Sequence, residues 1–152
     1  MFAKRFRVAS AMAALLACGT LAPGWAGDSP LSELKMAELI KKAEIVDATF
    51  PLRVLVDDKS VIVQTRRSAK ASDNDCKIDA LFLAKTLLDA YPNQIQKVNV
   101  LFHRDSDDTF NKVTVTPKIV EDFGAGIIDQ PKLLGSLKIT VDSAESETTD
   151  NA

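Results

Sequence analysis

Cys76-Lys-Ile-Asp-Ala-Leu-Phe-Leu-Ala-Lys-Thr-Leu-Leu-Asp-Ala-Tyr91 is the stretch on which the fold turns. Ile78, Leu81, Phe82, Leu88 and Tyr91 recur at three- and four-residue steps, the spacing of one helix face, and Pro92-Asn93 stops the run. Asp73 or Asp75 supplies a cap at the other end. Lys85 interrupts the stripe, but the adjacent Ala84 restores it, and Leu83 and Leu87 widen the apolar arc. Such a helix is expected to cover one face of a sheet, with enough apolar surface left for a second contact.

Strand patterns lie on both sides of it. Upstream, Leu52, Val54 and Val56 alternate with Arg53, Leu55 and Asp57, and Val61-Ile62-Val63 forms a second β-branched run after a turn over 57–59. Downstream, Val98, Val100 and Phe102 alternate with Lys97, Asn99 and Leu101. A polar turn over 104–108 then leads to Phe110, Lys112, Thr114 and Thr116, which alternate with Asn111, Val113 and Val115, so Val113 and Val115 share the inward face.

Shorter elements flank these pairs. Asp28-Ser29-Pro30 suits the Ncap and N1 positions of a helix over 30–43, with Leu31, Leu34, Met36, Leu39 and Ile40 as its docking face. Pro117 closes the last strand, Ile119, Val120 and Phe123 make a helical turn, and Gly124 fits the C′ position. Gln130-Pro131 begins a short helix holding Leu133, Leu134 and Leu137, and 139–141 adds an edge strand. The order predicts an α+β domain: a small antiparallel sheet of two hairpins, the long amphipathic helix between them, and short helices packed on one face.

The two ends of the chain read differently. Lys4, Arg5 and Arg7 precede an apolar run over 8–22, and Pro23-Gly24-Trp25-Ala26 follows, the pattern of a secretory signal peptide cleaved after Ala26. Leu15-Leu16-Ala17-Cys18 offers a competing lipoprotein site, which would anchor the chain to a membrane through a lipidated Cys18. Simple cleavage is favoured, because the signal is complete without Cys18. The expected division is therefore a signal over 1–26, one domain over 27–141, and an acidic tail over 142–152 that has no apolar run to bury.

Without Lys4, Arg5 and Arg7, the 19 basic residues fall to 16 against 21 acidic ones, a balance of about −5. Asp142, Glu145, Glu147 and Asp150 carry most of the excess, and no basic footprint for phosphate backbones is left, so nucleic acid is not expected as a partner. Arg66-Arg67 with Lys70 is the one basic cluster after the signal. It offers an anion contact, but nearby Asp73 and Asp75 favour a solvated strand end.

If Cys18 leaves with the signal, Cys76 is the one remaining cysteine, and an internal disulfide is impossible. A lone cysteine in an exported protein suits a buried thiol, a bridge in a homodimer, or a reactive thiol whose pKa the helix start lowers. A partly buried structural thiol is favoured, since free cysteine behaves as a small hydrophobe. His103, the single histidine, could act with Asp105 or Asp107, or with Cys76, but neither lies in a nucleophile motif. Asp105, Asp107 and Asp108 lack the glycine and distant glutamate of a calcium loop, and one histidine with one cysteine makes a poor transition-metal set. Gly124-Ala125-Gly126 lacks the rest of a phosphate loop.

No cofactor or metal is therefore expected. The sequence suggests an exported, periplasmic or secreted binding or adaptor domain of a bacterial cell envelope, without catalysis. Its protein partner would meet Ile78, Leu81, Phe82, Leu88 and Tyr91, together with exposed strand edges. The alternatives are a small enzyme built on His103 and a carrier of a small ligand or ion held between helix and sheet.

Overall fold

A computed structural model describes residues 30–104 and 109–143. Ser32 opens the first helix, α1 (Glu33–Lys42), with its Oγ accepting from the Lys35 N–H at 3.5 Å. The helix thus begins after Pro30, while Asp28 and Ser29 lie outside the described residues. Strands β1 (Arg53–Asp57) and β2 (Ser60–Arg66) pair antiparallel around Asp58-Lys59. Asp58 takes the left-handed backbone, φ 50°, which a short polar side chain tolerates in so tight a turn.

The long helix, α2 (Asp73–Ala90), is capped by Ser72, in place of the aspartates expected to do so. Ser72 Oγ accepts from the Asp75 N–H at 3.2 Å, and the Asp75 carboxylate accepts from the Ser72 N–H at 2.7 Å, a reciprocal capping box. The Ser72 hydroxyl and N–H bonds hold the Asp75 carboxyl below its ordinary pKa. Strands β3 (Lys97–His103) and β4 (Thr109–Val115) follow, then α3 (Pro117–Gly124), α4 (Gln130–Ser136) and β5 (Ile139–Ser143). Gly124 ends α3 from inside; the left-handed residue after it is Gly126, φ 70°. The edge strand reaches Ser143, beyond the expected 139–141.

The five described strands lie in chain order, and the sheet is mixed where an antiparallel one was expected. Both hairpins form, but β2 and β3 run parallel, with Val63 beside Val100. Helix length explains this. Eighteen residues of α2 span about 27 Å at 1.5 Å per residue, close to the ~23 Å of a seven-residue strand, so the crossover returns the chain to the starting end of β2.

All four described helices share one core with one side of the sheet, formed by Val54, Val61, Val63, Val98, Val100, Phe102, Val113 and Val115. The stripe that α2 buries is shifted from the expected one. Cys76, Ala80, Leu83, Ala84 and Leu87 face the sheet, Leu81 is buried beside them, and Phe82 is 52% exposed. On α1, Met36 and Ile40 are the buried anchors, whereas Leu34 is 72% exposed. Glu33 of α1 also accepts the Val56 N–H at 2.9 Å, occupying a donor on the outer edge of β1.

On the opposite sheet face no helix packs among the described residues. Leu101 is only 9% exposed, yet it stands apart from the helical core. Ser60, Asn99 and Thr114 form a polar ladder across three strands there, with Asn99 Nδ2 donating to Ser60 Oγ (3.5 Å) and Thr114 Oγ1 to Asn99 Oδ1 (2.8 Å). Among the described residues no helix is long and apolar enough to cross a membrane.

Candidate functional site

Strand β2 places alternate side chains on the helical side: Val61, Val63, Thr65 and then, just past its end, Arg67, whose N–H still donates to the His103 carbonyl at 3.2 Å. The last two of these are polar, so the apolar core gives way to a polar pocket at the carboxyl ends of the parallel β2–β3 pair. The first turn of α2 covers it. A cleft of about 290 Å³ opens there, lined by the 45–50 loop, by Thr65, Arg67 and Phe102 from the sheet, and by Cys76 and Asp79 from α2. A larger neighbouring cleft, about 560 Å³, shares Val46, Asp47 and Phe50 with it, but is bounded by Lys41, Glu44 and Leu52 and has no buried polar group.

Thr65 is 2% exposed, and its hydroxyl makes no hydrogen bond among the described residues. An unsatisfied buried hydroxyl costs about 1–3 kcal/mol, so its retention beside a cleft asks for a reason. The Arg67 side chain is 14% exposed. Its Nη1 lies 3.5 Å from Asp73 Oδ1 and 3.8 Å from Cys76 Sγ, two long contacts for a group with five N–H donors. Asp73 Oδ1 also accepts from Asn111 Nδ2 at 3.5 Å, and Asn111 Oδ1 from Arg104 Nη2 at 3.4 Å, which ties the start of α2 to β4.

The expected solvated strand end is therefore only half right: Arg66 is exposed, and Arg67 is turned inward. Cys76 is 1% exposed, a structural thiol buried more fully than the partly buried one the sequence favoured. Burial pushes its pKa up, and the neighbouring Arg67 charge offsets this only in part, so the helix start does not create a thiolate. A bridge to a second copy would first have to uncover that sulfur. His103 lies on the other sheet face, stacked at a tilt on Phe110 with ring centres 5.5 Å apart, so strand alternation separates it from Cys76. Asp105, Asp107 and Asp108, like Cys18 and Ala26, lie outside the described residues. No cluster of metal-ligating side chains occurs among the described residues.

The five α2 residues expected to meet a partner do not form one exposed patch. Leu81 is buried, Ile78 is half-buried, Leu88 and Tyr91 pack against the core, and Phe82 alone is open. The residues that sequence reading missed are Thr65, Asp79 and Asn111. Thr65 did leave a signal, since it continues the inward parity of Val61 and Val63 and is polar. No protein-family model, curated protein or solved structure matches this chain.

Asp79 provides a first test of the cleft. Burial raises its carboxyl pKa, and the Asp75 charge adds to this, so folding favours the protonated form. The stability this group contributes is complete below the ordinary carboxylate range and declines as pH rises through the elevated pKa; above that, the ionised group is a cost. Asp79→Asn is expected to raise the thermal midpoint at pH 7, with the difference closing below about pH 3. Thermal melts of both proteins across that range check it.

Proposed function

We propose that this chain is a non-catalytic binding domain exported to a bacterial cell envelope, where it acts as an adaptor for a protein partner. One observation carries the reading. On the sheet face where no described helix packs, Leu55 pairs with Ile62, Ile62 lies diagonal to Leu101, and Leu101 lies diagonal to Phe110, an apolar stripe across four strands. Diagonal neighbours at ~7–8 Å are within reach of such side chains; Leu55, Ile62 and Phe110 are half-buried and Leu101 is buried between them in register, so the surface offered is that of the first three. Arg53, Gln64 and Arg66 flank it on one side, and Ser60, Asn99, Thr114 and Lys112, which pairs directly with Leu101, on the other, an apolar centre with a polar border as at a protein contact.

The stripe replaces the α2 face as the favoured contact, because most of the α2 residues are taken up by the core. Within this reading His103 does no chemistry: its ring packs at a tilt on Phe110 at the margin of the stripe. His103→Ala is expected to keep the protein functional in its host.

A photo-crosslinker at Ile62, in cells of the native host, tests the proposal against the same group at Lys85 on α2. The expected result is one discrete adduct with another envelope protein at Ile62, lost when Leu55→Asp is added, with the circular dichroism of the double variant unchanged. Adducts at Lys85 alone, or a crosslink from Ile62 into the chain's own residues or a second copy, would overturn it.

A further inference from the structure

The polar cleft on the helical side is a separate feature, and its groups have a chemistry of their own. We infer that it is a binding site for a small monocarboxylate, whose head meets Arg67 and Thr65 and whose apolar body lies against Val46, Phe50 and Phe102. Thr65 and Arg67 stand two residues apart on the same side of β2, so both reach the same floor. Between them they present a fork of guanidinium donors and a hydroxyl, the set that a planar carboxylate accepts in two parallel bonds and a third.

The protein itself leaves that set underused. Thr65 Oγ1 has no partner among the described residues although the residue is almost completely buried, and the two Arg67 contacts are both long. The place also fits, since crevices at the carboxyl ends of parallel strands are where open sheets bind ligands. Arg66 and Arg67 line the cleft together with Asp47 and Asp79, so its charges balance and a singly charged ligand fits it best. Asp47 and Asp79 border the same cleft, and a phosphate or dicarboxylate would bring a second negative charge against them. The remaining wall, with Val46, Phe50 and Phe102, is apolar, and about 290 Å³ admits a short branched or ring-bearing body and little more.

Titration of the isotope-labelled protein with 3-methylbutanoate, followed by nuclear magnetic resonance, tests this. The expected result is saturable shifts at Thr65, Arg67 and Cys76, with half-saturation at about 1–10 mM, as suits seven heavy atoms. The uncharged alcohol 3-methylbutanol should be at least about tenfold weaker, because it lacks both the charge and the second oxygen of the fork-matched carboxylate. Arg67→Gln should weaken the carboxylate by a similar factor, and Arg67→Lys by less, since it keeps the charge and loses the fork. Thr65→Val should weaken binding while raising the thermal midpoint of the free protein, which separates loss of a ligand contact from loss of fold.

No saturable shift at about 50 mM, equal binding of the alcohol, an unchanged Arg67→Gln variant, or tighter binding of inorganic phosphate would each overturn the inference. The readout lies on the opposite side of the sheet from Ile62, so the cleft and the adaptor surface stand or fall separately.

Discussion

Leu83→Ala is expected to lower the free energy of unfolding by about 2–5 kcal/mol, and Phe82→Ala by no more than about 1 kcal/mol, although phenylalanine is the larger side chain. Leu83 is fully buried between α2 and the sheet, whereas Phe82 is more than half exposed. Truncating Leu83 therefore leaves a cavity that a close-packed interior fills only in part, and truncating Phe82 mostly returns surface to water. Urea unfolding of the two variants, followed by circular dichroism, measures both. A larger loss at Phe82 would mean that α2 is rotated about its axis, which would return its apolar stripe to the face first read from the sequence.

Met36→Ala is expected to cost about 2–5 kcal/mol as well, against about 0.5 kcal/mol or less for Leu34→Ala. Met36 and Ile40 are the side chains with which α1 enters the core, and Leu34 points outward. The effect should extend beyond the helix. Glu33, three residues from Met36, accepts the Val56 N–H, so a loosened α1 also uncovers the outer edge of β1. Hydrogen exchange should then show the Val56 amide losing protection in Met36→Ala and keeping it in Leu34→Ala. Equal stability of the two variants would remove α1 from the core.

Much of the element order was readable from periodicity, because a period of two or 3.6 residues is a local property of the chain. Val98, Val100 and Phe102 belong to one face whichever strand lies beside them, and Val113 and Val115 are both buried, as their alternation implied. The candidate cleft was less legible. Arg67 was visible as a base, but the burial of its side chain depends on α2 folding over the end of β2. Thr65 and Asn111 were both visible as polar residues at inward positions, continuing the parity of Val63 and Val113, but the burial of Asn111 depends on β3 lying on one side of β4 and β5 on the other.

What local patterning determined was the set of pieces: two strand pairs, a long helix between them and short helices after, with their turns at Asp58 and Asn93. Two choices needed the whole molecule. The apolar arc of α2 is wide enough to dock in more than one rotation, and it settled on Cys76, Ala80, Leu83 and Leu87 because small alanines there let the helix approach a sheet of valines. Strand direction was the other. Alternation in β2 and β3 is the same whether they run parallel or antiparallel, and the length of the intervening helix, laid back across the sheet, made them parallel and set the polar cleft at their shared end.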